Sequence, residues 1–186
     1  MGEEILAIRD TEEALAQREA VASWLSRMVG FDVRTDFRFH GLQAALETQE
    51  SMPPGWGFIA VVGVASTAEG IFREWLLTPW WDRNHHGKKF SLGLICRVTG
   101  KLARRWTDDP DVGSLAKWAE VEFGDSRPLR NPAWPAALQE LLDLRNPVAH
   151  NLEAATAEAG HRCLELALRE PGLIPGLLRA RLLGRH

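Results

Sequence analysis

The chain has 186 residues, of which 45% are hydrophobic and 25% charged, and its net charge is −3. That length fits one domain, or one domain with an arm, and the apolar fraction supports a packed core and excludes a disordered chain. The net charge excludes nucleic-acid binding by bulk electrostatics, so any such partner has to be held by a local patch.

Residues 1–20 carry Glu3, Glu4, Asp10, Glu12, Glu13 and Glu19 against Arg9 and Arg18. An acidic start is not a secretory signal, and "MGEEIL" lacks the Ser or Thr of a myristoylation site. Asp10 followed by Glu13 is a capping-box pattern, and Val21, Trp24, Leu25 and Met28 recur at helical spacing. Together they predict a helix over 11–29, closed by Gly30. "FDVRTDFRF" (31–39) alternates, with Phe31, Val33, Phe37 and Phe39 on one side and Asp32, Arg34, Asp36 and Arg38 on the other. A period of two predicts a short β element there.

Residues 41–50 read as a short helix and 51–57 as a loop. From 58 to 77, Phe58, Val61, Val62, Ala65, Ala68 and Phe72 fit one helix. A rival reading is a strand followed by a helix capped by Ser66, with Glu69 three residues on. "TPWWDRNHHGKK" (78–89) is a loop, 90–106 a helix with a basic end, 108–113 a break and 114–124 a helix. After a loop over 126–135 comes a helix over 136–146, which Pro147 interrupts. Residues 152–170 form a long helix. The tail from Pro171 holds Arg179, Arg181 and Arg185 and no acid. Its charge would suit a membrane surface or a phosphate backbone, and the plainer reading is a short helix docked by its leucines.

The plan is an all-α bundle. It divides into an N-terminal helical extension (1–50), a main helical domain (51–170) and a basic C-terminal tail (171–186). Cys96 and Cys163 sit in apolar helical patterns, as buried thiols do, which fits a reducing cytoplasm. No apolar run is long enough to span a bilayer, so no membrane partner is expected.

The chemistry concentrates in "LLDLRNPVAHN" (141–151). Arginine stays protonated and presents a planar fork that fits a phosphate. Histidine as a side chain takes or gives a proton near pH 7. The Asn146 amide can hold an imidazole or a ribose hydroxyl. Arg145 and His150 have four residues between them, which turns them about 140° apart on a straight helix. A bend at Pro147, or a second copy of the chain, would be needed to bring them to one cleft. With both in one cleft, RNA can be cut without metal: the imidazole handles the 2′-hydroxyl proton and the guanidinium holds the developing charge.

"LRNPVAHN" resembles the motif of the HEPN superfamily, in which an arginine is followed by a polar residue and then, four to six residues after the arginine, by a histidine. "FSLGLICRV" is similar to the Leu-Gly helix start that often precedes that motif. The resemblance covers about 58–170. It implies a small all-α bundle and a metal-independent endoribonuclease without cofactor, acting as a homodimer whose two Arg/His sets form one site. It also implies a setting in toxin–antitoxin, CRISPR-associated, antiviral-defence or stress systems, with an antitoxin or regulatory partner. Other members have lost catalysis and bind a nucleotide or a protein, which is the alternative reading. Arg145, Asn146 and His150 match the family's site residues, and Glu69 is the candidate for the polar residue that an earlier helix contributes. A third reading is a scaffold in which Arg145 and His150 only cover a broken helix.

"DRNHHGKK" gathers Asp82, His85 and His86, but adjacent histidines rarely ligate one ion and no spaced third ligand follows, so no metal site is expected. Arg83, Lys88 and Lys89 are candidate RNA-backbone contacts, with Trp80 or Trp81 as a base platform against the plainer reading of core packing. Arg97, Lys101, Arg104 and Arg105 fall on one side of their helix as a second basic patch.

Overall fold

The computed structural model describes residues 12–29, 32–73, 80, 92–103, 110–123, 133–151 and 153–169. Among these it is all-α, with seven α-helices and no strand. They are α1 (Glu12–Val29), α2 (His40–Glu47), α3 (Trp56–Gly70), α4 (Leu92–Ala103), α5 (Pro110–Phe123), α6 (Ala133–Asn151) and α7 (Ala157–Leu168). A π turn over 71–73 prolongs α3.

Helix α3 is the centre of the bundle and packs on α2, α6 and α7. Its sequence allows this because small residues stand where helices cross. A β-carbon at Gly63 would lie 2.5 Å from the Gly41 carbonyl oxygen of α2. One at Gly57 would lie 2.4 Å from the carbonyl oxygens of both Ala155 and Thr156, which lead into α7. Trp56 is buried beside these crossings and donates its indole N–H to the Ala45 carbonyl oxygen at 3.0 Å. One aromatic side chain thus ties α3 to α2 and also meets His161 of α7, with ring centroids 4.7 Å apart.

The β element expected near 31–39 is not formed. Residues 33–35 and 37–39 are two single 3-10 turns instead. Asp32 and Asp36 each accept a hydrogen bond from the backbone N–H two residues on, at 3.1 Å, which caps the turn that follows. The arginine of each Asp-x-Arg triplet then folds back onto the same carboxylate, Arg34 Nε at 2.8 Å and Arg38 Nε at 2.7 Å. Local side-chain bonds satisfied the backbone before any strand partner did. Burial opposes the charge on Asp36, yet the Arg38 side chain and N–H hold its carboxyl below the usual range. The alternation nevertheless sorts partly by burial: Val33 and Phe39 are in the core, whereas Phe37 is exposed.

The single helix predicted over 58–77 forms over its described part, beginning at Trp56 and reaching the π turn over 71–73, and residues 74–77 lie outside the described residues. The expected break at Pro147 does not form. Helix α6 continues through the proline to Asn151. Proline in a helix costs one hydrogen bond and a steric clash. Here Leu138 and Leu141 before it and Val148 after it are all buried, so packing holds both halves in one helix. The chain turns later, over 153–156, where Thr156 accepts from Ala159 N–H at 3.2 Å and starts α7. Trp80 is in the core and donates to Ser114 Oγ at 2.8 Å, so it is not a base platform. Cys96 and Cys163 are buried free thiols, and burial pushes both up to about 12.

Candidate functional site

Helix α6 runs antiparallel to α3. Trp134 near its start meets Phe72 at the end of α3, edge to face at 6.3 Å, and Ala155 beyond its end lies against Gly57 at the start of α3. This register brings Arg145 beside Glu69. Arg145 Nη2 is 3.9 Å from Glu69 Oε2, with the two side chains 25% and 21% exposed. Arg145 Nη1 also points at Asn146 Oδ1, at 3.4 Å. Three of the four residues chosen from the sequence therefore meet, on two helices 76 positions apart at Glu69 and Arg145.

His150 is exposed in the last turn of α6. Because the helix runs through Pro147, the turn of about 140° between Arg145 and His150 stands. Arg145 lies on the side of α6 that faces α3, and His150 lies away from it. With side chains reaching about 6 Å from the axis and a rise of about 7.5 Å, their tips are roughly 13 Å apart. A proline kink of about 25° moves His150 by only about 3 Å. One chain therefore presents an anion fork and a proton carrier at the two ends of a short span, not on one phosphate.

A second carboxylate, Asp143, stands on α6 two residues before Arg145, about 160° around the helix from it and on the side of His150. Asp143 is exposed one turn-half before Arg145 and accepts from Gln139 Nε2 at 2.8 Å. After burial, the charges of Asp143 and then Glu69 help raise the Cys96 thiol of α4. The surprise is Phe58, 46% exposed although its helical period reads as core, with Ile59 beside it 37% exposed. At 100° per residue they share with Glu69 one side of α3.

The remaining candidates separate by location. Arg83, Lys88, Lys89, Arg104 and Arg105 lie outside the described residues, as do Asp82, His85, His86 and the tail over 171–186. Arg97 is exposed on α4. Among the described residues, no three His, Cys, Asp or Glu side chains group as metal ligands, and no helix is long and apolar enough to cross a membrane. In comparisons with known proteins, no protein family, no curated protein and no solved structure matches this chain.

Proposed function

We propose that the chain is a HEPN-type, metal-independent endoribonuclease that works as a homodimer, in a cytoplasmic defence, toxin or stress setting. The observation that carries the proposal is the Arg145–Asn146–His150 segment on α6, with Glu69 of α3 at the Arg145 guanidinium. Cleavage needs a base for the 2′-hydroxyl and an acid for the leaving oxygen. One chain offers a single histidine in this segment, and the turn of α6 keeps it off the phosphate that its own Arg145 would hold. A two-fold axis supplies the second histidine and closes the span.

In that dimer, one His150 takes the proton of the 2′-hydroxyl. The freed oxygen attacks the adjacent phosphorus, and the bond from phosphorus to the 5′-oxygen breaks. His150 of the partner subunit protonates that oxygen. The products are a 2′,3′-cyclic phosphate and a 5′-hydroxyl. Arg145 carries the charge that builds on the phosphate oxygens. RNA is the substrate because DNA lacks the attacking hydroxyl. The experiment is cleavage of RNA in excess EDTA by wild type, Arg145→Ala and His150→Ala, with circular dichroism on each. Folded variants that lose cleavage support the proposal. Binding of RNA or a nucleotide without cleavage by the wild type would favour the catalytically inactive module.

A further inference from the structure

Among the described residues, the contact between Arg145 and Glu69 is, like Arg18–Glu47 at 3.5 Å and Arg169–Glu165 at 3.6 Å, looser than the closely hydrogen-bonded arginine–carboxylate pairs. Arg162 holds Glu140 through two nitrogens at 2.6 and 2.9 Å, and Arg34 holds Asp32 at 2.8 and 2.9 Å. Those are charge-assisted hydrogen bonds of ordinary length. At 3.9 Å, Arg145 and Glu69 attract each other without one. The Asn146 contact, at 3.4 Å, is also long. The guanidinium is thus neutralised but not locked. A phosphodiester arriving at Arg145 meets a guanidinium whose charge Glu69 already offsets.

We infer that Glu69 is a built-in competitor for the anion that Arg145 holds: the carboxylate occupies the fork in the free protein, and a phosphodiester binds only by displacing it. This rests on the reading of Arg145 as the phosphate-holding group. It goes beyond that reading by making the free site latent and by naming the residue that restrains it. The loose geometry is what permits exchange, because a bidentate pair would hold the fork shut. Any event that draws Glu69 off Arg145 raises affinity for the RNA backbone.

The test separates the two claims. A fluorescent single-stranded DNA oligonucleotide serves as probe, since without 2′-hydroxyls it is bound but not cut. It is titrated at low and high salt with wild type, Glu69→Gln, Arg145→Ala and the double variant. Glutamine keeps the shape and removes the charge. Glu69→Gln is expected to bind about two- to fivefold more tightly at low salt, the range of a part-exposed ion pair expressed as affinity. The gain should shrink in high salt. The double variant should bind no more tightly than Arg145→Ala, because the gain needs the guanidinium. Weaker or unchanged binding by Glu69→Gln, with Arg145→Ala still impaired, overturns the inference and leaves the ribonuclease reading standing. A gain that survives in the double variant also overturns it, as a general charge effect. Wild-type affinity in Arg145→Ala removes the phosphate role of Arg145 and the inference with it.

Discussion

A mixing experiment exposes the geometry of the candidate site. Wild-type chains are combined with His150→Ala chains at a fixed total concentration and allowed to exchange. The magnitude follows from α6. Arg145 and His150 stand about 140° apart around a helix that continues through Pro147. Their tips are roughly 13 Å apart, whereas two groups that act on one phosphate have to converge within hydrogen-bond reach of it. A single chain therefore cannot complete the chemistry, and each site needs His150 from both copies. With equal amounts of the two chains, about a quarter of the dimers carry two intact histidines by random pairing. Activity on RNA, read by gel, should fall to about a quarter of the all-wild-type value and follow the square of the wild-type fraction. A linear fall to about one half would mean that each protomer works alone, and the two-copy site would be wrong.

Three further outcomes are expected. Gly63→Ala forces a β-carbon onto the Gly41 backbone at 2.5 Å, and overpacking of this kind costs about 1–3 kcal/mol, or roughly 2–4 °C in Tm for each kcal/mol. An unchanged melting curve would mean that α2 and α3 separate freely. Cys96 and Cys163, pushed up to about 12, should resist Ellman's reagent at pH 8 in native protein and react at once in denaturant. Their pKa values are raised on folding, so their contribution to stability is whole below the ordinary value of 9.0 and is lost as pH climbs toward 12; urea midpoints that rise from pH 8.5 to 10.5 in the wild type relative to a Cys96→Ala/Cys163→Ala protein would contradict this. Pro147→Ala returns a backbone N–H to a helix that already runs through the site, so Tm should rise, with about 3 kcal/mol as the ceiling. A fall in Tm would show that the proline ring contributes more by packing than it costs α6.

What was legible in the sequence follows from how local each signal is. Helical periods gave α1 nearly to the residue and located the described parts of α3 and α4, because one buried face repeats every three or four positions. The Asp-x-Arg triplets misled, because alternation in sequence is shared by a strand and by two successive capped turns. Only the bonds from Asp32 and Asp36 to the backbone separate the two. Pro147 misled for a different reason. Its local cost is real, but Val148 is buried one residue on, and that burial depends on tertiary packing, which a local pattern does not contain. At the site, residue chemistry pointed to Arg145, Asn146 and His150. The 3.9 Å approach of Glu69 depends on the antiparallel register of α3 and α6, set by Phe72 on Trp134 and by Gly57 against Ala155. Exposure of Phe58 was hidden because an apolar stripe looks the same whether or not something covers it.

The most direct test of the central claim is the end chemistry of the cut RNA. Purified wild type and His150→Ala, prepared side by side, are incubated in EDTA with an RNA oligonucleotide and with the same strand carrying a single 2′-deoxy substitution at the cut position. Mass spectrometry then reads the termini. The account predicts 2′,3′-cyclic phosphate and 5′-hydroxyl ends from the wild type, no cut at the deoxy position, and no products from the folded His150→Ala protein. Products ending in 5′-phosphate, cleavage at the deoxy position, or equal cleavage by His150→Ala would contradict it.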